Sequence, residues 1–412
     1  MIFLDAAATT PVRREVIEAM FPFLTNQFGN PSSHHELGEI AAAALTRARE
    51  QCATALGAHA DELTFTSGGT EADNLAVKGL ALARRAGDPR LNRVLISAVE
   101  HPAVAESADY LRRVHGFEVE LVPVDGDGLV DPDVFAAMLA GPSGSGTASS
   151  DGADGDVAGG DVAGGNVAGS DVAVASIMYA NNEVGTVQDL TALSAAAAGA
   201  GVPLHSDAVQ AAGWLPLDVR ALGVTALSLS GHKIGAPKGV GLLYVKGGSL
   251  YEPLIHGGGQ ERGNRSGTEN VAFAVALATA LVTAEAVRPS AVERVTELRE
   301  NFIRRILADI PAAQLTGHRT RRLPNVASFC FPGTSGESVL LELERRNIVC
   351  SSGSACAAGS DEPSAVLSAM GIERTVAQTA LRFSFGPDVT AEALETAATE
   401  LAAAVARMLR LG

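Results

Sequence analysis

The sequence predicts an α/β protein in which a mostly parallel, seven-stranded sheet is covered by helices, joined to a smaller α+β unit. Three observations carry this. Short β-type runs alternate with helical stretches through the first 245 residues or so. That strand–helix alternation is the signature of a parallel sheet with helices on both faces. The rhythm changes after Gly263, where a long helical stretch precedes widely separated strands. A length of 412 residues is also enough for two cores.

Helical periodicity marks 11–24, 36–56 and 70–85, with further helices at 102–115, 132–139 and 190–200. Strand-like runs fall at 63–66, 93–97, 117–122, 172–179, 203–206, 224–229 and 241–245. Beyond residue 263 the pattern reads as a long helix over 268–310, strands at 325–331, 348–350 and 380–385, a helix at 336–346, two short helices and a last helix from 390. The expected division is 12–262 for the large unit, with 1–11 and 263–412 forming the smaller one.

Residues 141–171 fit neither unit. They are rich in Gly, Ser, Ala and Asp, and repeat Asp156-Val-Ala-Gly-Gly, Asp161-Val-Ala-Gly-Gly, Asn166-Val-Ala-Gly-Ser. Too few copies with the wrong period argue against a calcium-binding solenoid. The composition suits a flexible insertion between a helix and a strand, remote from the strand ends where ligands bind in such sheets.

Composition excludes several functions. A net charge of −16 disfavours direct contact with nucleic acid or an anionic membrane. The longest uncharged apolar run, 271–284, is short of a bilayer span and reads as a buried helix. Met1-Ile-Phe-Leu-Asp5 lacks the basic start of a secretory signal. Four cysteines, Cys52, Cys330, Cys350 and Cys356, form neither a disulfide framework nor a zinc-type pair, so a reduced, cytoplasmic setting is the expectation and no metal site is read.

Polar residues gather at successive strand ends. Lys233 closes the turn Ser230-Gly-His-Lys233, and Asp207 opens Asp207-Ala-Val-Gln210. A lysine amine and a carboxylate on neighbouring strand ends are what pyridoxal 5'-phosphate (PLP) requires: the amine holds the aldehyde, and the acid keeps the ring nitrogen protonated. Ser67-Gly-Gly-Thr70-Glu71 opens a helix and offers a phosphate cradle of backbone amides, or an ordinary helix cap. His101 can stack on a planar ring or simply start a helix, and Asn181-Asn182-Glu183 can bind a ring hydroxyl or form a turn. The stretch 257–268, with Arg262 and Arg265, could donate to a phosphate across a subunit boundary or join two domains.

Two further residues stand out. Cys356 lies in Ser351-Ser-Gly-Ser-Ala-Cys356, whose small polar flanks suit an exposed, mobile nucleophile. Arg382 lies inside a strand, where a guanidinium calls for a carboxylate, either from a substrate or from an internal salt bridge.

These runs, with Leu4-Asp-Ala-Ala-Ala-Thr-Thr-Pro11, Gly29-Asn-Pro-Ser-Ser-His34, Glu100-His101 and Arg265-Ser-Gly-Thr268, resemble the cysteine desulfurases over nearly the whole chain. These are IscS/NifS-like PLP enzymes of the class-V aminotransferase family, with the aspartate-aminotransferase architecture (PLP fold type I). The resemblance implies that Lys233 holds PLP, Asp207 faces its ring nitrogen, Gln210 and Asn182 its ring hydroxyl, and His101 its face. Gly69, Thr70, Ser230 and His232 would bind the phosphate, with Thr268 supplied by the second subunit of a homodimer. Arg382 would hold the carboxylate of L-cysteine, with Asn182 nearby. Lys233 would remove the Cα proton, and Cys356 would take the sulfur as a persulfide, leaving alanine. A protein acceptor in iron–sulfur cluster assembly or tRNA thiolation would then receive it.

The chain departs from the family pattern at Ala6, at Tyr179-Ala180 and at Ile234-Gly235, where aromatic or histidine residues are usual. The expectation from an end at Gly412, without the longer tail some members use to dock a scaffold, is that a scaffold partner is in doubt and a tRNA-thiolation enzyme is raised as acceptor. The competing readings are a selenocysteine lyase or another PLP lyase or aminotransferase of this fold, and a non-catalytic sulfur-relay scaffold.

Overall fold

The computed structural model describes residues 1–141, 170–352 and 363–411. Among these, the strands in chain order are β1 (Ile2–Phe3), β2 (Leu63–Thr66), β3 (Arg93–Ser97), β4 (Glu118–Val122), β5 (Val172–Ser176), β6 (Leu204–Asp207), β7 (Ala226–Ser230), β8 (Gly241–Val245), β9 (Gln314–Leu315), β10 (Val326–Cys330), β11 (Ile348–Val349) and β12 (Ala380–Ser384). The helices are α1 (Arg14–Thr25), α2 (Glu36–Leu56), α3 (Gly69–Gly87), α4 (Pro102–His115), α5 (Pro132–Ala140), α6 (Leu190–Gly199), α7 (Val219–Leu222), α8 (Val271–Asp309), α9 (Gly336–Glu344), α10 (Ala365–Ala369), α11 (Arg374–Ala377) and α12 (Ala391–Leu411).

Seven strands form one sheet in the order β2-β8-β7-β6-β5-β3-β4. Only β8 runs antiparallel to its neighbours, β2 and β7. Residues on β3 alternate between two cores. Val94 and Ile96 pack with Leu75 and Leu80 of α3 and Leu111 of α4. Leu95 packs on the other face with Phe135 of α5, Leu193 of α6 and Leu277 of α8. A strand buried on both faces must be apolar at every position, which is why these segments read as continuous Val/Leu/Ile runs.

The helix ends follow local chemistry. Pro102 starts α4 and Gly116 ends it in the left-handed region at φ 70°, where a Cβ would be strained. Asp131 caps α5, its carboxylate accepting from the amides of Asp133 and Val134.

A second core lies around the antiparallel sheet β12-β10-β9. Aromatics make up only 4% of the sequence, yet Phe302, Phe329, Phe331, Phe383 and Phe385 meet here. Phe302 of α8 sits edge-on to Phe383 and Phe385 with ring centroids 5.3 and 5.7 Å apart. The N-terminal segment joins this side: β1 pairs with β11, and Asp5 bridges to Ser384.

α8 is long and apolar enough, by length and composition, to cross a membrane. Half of its most apolar window is buried within the protein, and it packs along α1 and α2. That agrees with the buried helix read from the sequence.

The insertion expected at 141–171 lies almost wholly outside the described residues, but its ends are visible. Asp171 is held 2.7 Å from Arg93 at the start of β3, and a Cβ on Gly141 would sit 3.5 Å from both Arg93 and Asp171. Both ends therefore meet at the N-terminal edge of the sheet.

Candidate active site

At the opposite edge, the C-terminal ends of the strands open into a cavity of about 840 Å³. It receives Asp207 from the end of β6, Ser230 from the end of β7, His232 and Lys233 from the turn after β7, and His101 from the turn after β3. Gly69 and Thr70 enter from the first turn of α3, and Asn182 and Gln210 from the loops that follow β5 and β6. Arg382 comes from the second sheet. Thus all but two of the site residues read from the sequence line one space. Cys356 lies outside the described residues, although Pro363, Ser364 and Ala365, where the described chain resumes, line the cavity wall. Thr268 is exposed and does not line the cavity within this chain.

The floor is buried and acidic. Asp207 is buried, and its Oδ1 accepts the Val209 amide at 2.8 Å. Burial pushes its carboxyl above the ordinary aspartate value, opposed by His101, that amide and Lys233. Burial in turn pulls His101 below the usual histidine value, and its Nδ1 accepts the Ala103 amide at 3.1 Å. A neutral ring with one nitrogen committed to α4 presents its face and its other nitrogen to the cavity.

Lys233 Nζ donates to the backbone carbonyls of Ala7 and Ala8, the latter at 2.9 Å. Gln210 Nε2 donates to the same Ala7 carbonyl at 3.0 Å. The N-terminal run therefore holds both side chains from one side. His232 is drawn down to about 4 by burial and by the neighbouring Lys233 and Lys238, and its Nδ1 lies 3.2 Å from the Thr9 hydroxyl.

The residues fit PLP on three counts. Gly68 begins α3 without a side-chain cap, leaving the first-turn amides available to an anion. Gly69 packs so tightly that a Cβ would come 2.7 Å from Val209 and 3.3 Å from Ser230, so only glycine lets the helix start reach the end of β7. An amine, a buried carboxylate and this cradle then share one cavity, matching the aldehyde, ring nitrogen and phosphate of the cofactor.

Other expectations come out differently. Arg262 donates to the Leu63 carbonyl and Arg265 Nε bonds Glu71 at 3.0 Å, so neither is a phosphate donor within this chain. Arg382 lines the cavity and also makes an internal salt bridge: its Nη2 is 2.7 Å from Asp5 and its Nη1 donates to the Asn182 carbonyl at 2.8 Å. Its Nε has no partner among the described residues although the residue is only 3% exposed.

The other three thiols are buried. Burial pushes Cys52 and Cys350 up to about 12 and Cys330 up to about 11.

One acid in the cavity, Asp73, falls outside every motif read from the sequence. Asp73 lies four residues after Gly69 on the buried face that continues through Ala76 and Leu80. A charged residue on an otherwise apolar helical stripe was the available signal.

Comparison with known proteins agrees with this geometry. The family model for aminotransferase class-V matches residues 2–143 and 166–396, breaking at the insertion. The cysteine desulfurase IscS of Dictyoglomus turgidum is 42% identical over 95% of this chain and 91% of its own length. The cysteine desulfurase NifS of Azotobacter vinelandii is 40% identical over 99% and 93%. Among solved structures, a NifS-like protein superposes with a TM-score of 0.85 at 31% identity, covering 98% of this chain and 99% of its own. Dry strand ends, a phosphate cradle, a lysine and an aspartate in one cavity, and relatives of this closeness along the whole chain lead to one conclusion: the chain belongs to the class-V aminotransferase family, among the PLP-dependent cysteine desulfurases.

Proposed function

We propose that this enzyme takes sulfur from L-cysteine onto Cys356 and releases L-alanine, with Lys233 as the base. The reading rests on one observation above the others: Lys233, Asp207 and the open first turn of α3 line a single cavity that Arg382 also enters. Bound there, PLP supplies the electron sink that makes the Cα proton of cysteine removable. Asp207 would meet the ring nitrogen, His101 the ring face, and Gln210 and Asn182 the ring hydroxyl. Gly69, Thr70, Ser230 and His232 would hold the phosphate.

Arg382 binds the cysteine carboxylate, with Asn182 beside it. Lys233 moves the Cα proton. The Cys356 thiolate attacks the substrate sulfur, forming an S–S bond as the Cβ–S bond breaks. The carbon retains that electron pair, takes a proton and leaves as alanine; Cys356 keeps the sulfur as a persulfide for a protein acceptor in iron–sulfur cluster assembly or tRNA thiolation.

We further propose a cytoplasmic homodimer. Ile17, Phe21, Leu24 and Phe28 form an exposed apolar stripe along and just beyond α1, Phe21 at 58% and Phe28 at 67% exposure. Thr268 is exposed and away from its own cavity, as a residue serving a second subunit's phosphate would be. The division into 12–262 and 1–11 with 263–412 has two separate cores in its support, although residues 272–284 of α8 pack into the first core and only the part from Val295 onward joins the second.

Incubation with sulfur-labelled cysteine followed by peptide mass spectrometry tests the reading. The label is expected on the Cys356 peptide with stoichiometric alanine. Cys356→Ser is expected to lose the label and keep the cofactor absorption. Label on Cys52, Cys330 or Cys350 instead would refute the assignment.

A further inference from the structure

Asp73 is 1% exposed, its Oδ1 has no hydrogen-bond partner among the described residues, and it belongs to the wall of the cofactor cavity. One side-chain ligand atom from each of Asp73, His101 and Asp207 lies within 4.8 Å of the others. Two carboxylates that close, both out of water, cannot both be ionised.

Every group facing this pair decides which one keeps the proton. Asp207 has the Val209 amide as a donor, with His101 and Lys233 nearby. Asp73 has no Lys or Arg partner among the described residues, and His101, within 4.8 Å of both acids, is drawn toward its neutral form by burial. The other candidate is His205 on β6, 3.6 Å away through Nε2. But His205 is fully buried, and its two ring nitrogens are already engaged, with Ser176 Oγ at 2.8 Å and Ser228 Oγ at 2.9 Å. Burial draws it down to about 3, so it is a neutral ring at working pH. The Ser228 hydroxyl reaches Asp73 as a neutral donor, while Glu100, a third buried acid, adds repulsion.

We propose that Asp73 is a positioning residue for Asp207: a carboxylic acid that stays protonated, so that Asp207 carries the negative charge beneath the cofactor ring. It gives the floor of the cavity a polar, uncharged surface where a second carboxylate would compete for the ring-nitrogen proton. An apolar side chain there would strip Asp207 of that surface and weaken its charged form. The proposal rests on the PLP reading above.

The test uses Asp73→Asn, a neutral side chain of the same shape, and Asp73→Leu. Asn is expected to keep PLP affinity within about threefold of wild type, and Leu to weaken it about tenfold or more, roughly one decade in dissociation constant. Leu should also shift the pH midpoint of the bound cofactor's absorption band, which Asn should leave in place. A role confined to packing would not move that midpoint. Equal damage from Asn and Leu, or an unchanged midpoint in Leu, would overturn the proposal.

Wild-type protein labelled with ¹³C at its aspartate carboxyls needs no variant to fold. One resonance is expected to remain at the protonated position at neutral pH, above the ordinary aspartate range. Complete ionisation of every aspartate by then would also overturn it. A wild type that took up no PLP would refute the reading of the whole site; a wild type that bound PLP while Asn failed would refute only the assignment of Asp73.

Discussion

Arg382 Nη2 lies 2.7 Å from Asp5 Oδ1, so one buried guanidinium ties the N-terminal segment to β12 at the wall of the active-site cavity. Its Nη1 meets the Asn182 carbonyl, and its Nε is unpartnered among the described residues. Two of the three nitrogens thus anchor the side chain, and the substrate carboxylate finds a fork already aimed. Lysine offers a point charge without that fork. Arg382→Lys is expected to raise KM for cysteine about 10- to 100-fold, in line with the loss of one to two charge-assisted hydrogen bonds. Asp5→Asn, which keeps the contact but drops its charge, is expected to raise KM less than about tenfold. Steady-state kinetics with saturating cofactor separates the two.

Lys233 is held by the Ala7 and Ala8 carbonyls, while the phosphate cradle at α3 and the acid at Asp207 stand on other elements. Removing the amine should therefore leave most of the cofactor contacts intact. Lys233→Ala is expected to bind PLP without a covalent link and to lose turnover altogether. Borohydride reduction and peptide mass mapping should find the cofactor on the Lys233 peptide of wild type and on no peptide of the variant. A reduced adduct on another lysine would displace Lys233 from its role.

The site was legible to the extent that it sits on strand ends. Asp207, Lys233 and His101 each follow an apolar run, and a parallel sheet gathers such positions at one edge whatever the intervening helices contain. Asp73 escaped because helical periodicity sorts charged residues to the solvent side, and this one lies on the buried face. The partner of Arg382 escaped for another reason: Asp5 is 377 positions away, and no local pattern links them. The two-residue strands β1 and β9 carry no periodicity to detect. The run read as a strand over 172–179 leaves the ladder at Ser176, although Ile177 and Tyr179 still donate to His205 and Asp207 as the chain turns toward the cavity.

The insertion gives a third prediction. Gly141 and Asp171 adjoin each other beside Arg93 at the edge of the sheet opposite the active site. A short junction can close that gap without moving β5, and shortening a loop changes its closure entropy by only about 1 kcal/mol or so. Excision of 144–169 is expected to leave kcat/KM within about twofold and the unfolding midpoint nearly unchanged, the loop-length dependence being weak. Loss of activity in a folded deletion variant would give this segment a part in catalysis.

Glu100 sets a pH dependence. Its Oε1 accepts from the Ser97 hydroxyl at 2.6 Å and from the amide of the cavity-lining Met178 at 2.7 Å; its Oε2 is buried without a partner among the described residues. Burial raises its carboxyl to about 8 against an ordinary value of 4.5, with the Asp207 charge adding to the rise. The unfolded chain therefore releases this proton near 4.5, whereas the folded chain holds it until about 8. Over that interval the native state binds more protons, so Glu100 lowers stability as pH rises, and its favourable contribution is complete only below the unfolded value. Glu100→Gln keeps the neutral form at every pH. Relative to wild type its stability is expected to improve steadily from about pH 5 to about pH 8, by a few kcal/mol in total, and then to level off. Urea unfolding across that range measures the slope. A constant offset between the two proteins would show that Glu100 is ionised in the native state and that the floor of the cavity carries more charge than its burial allows.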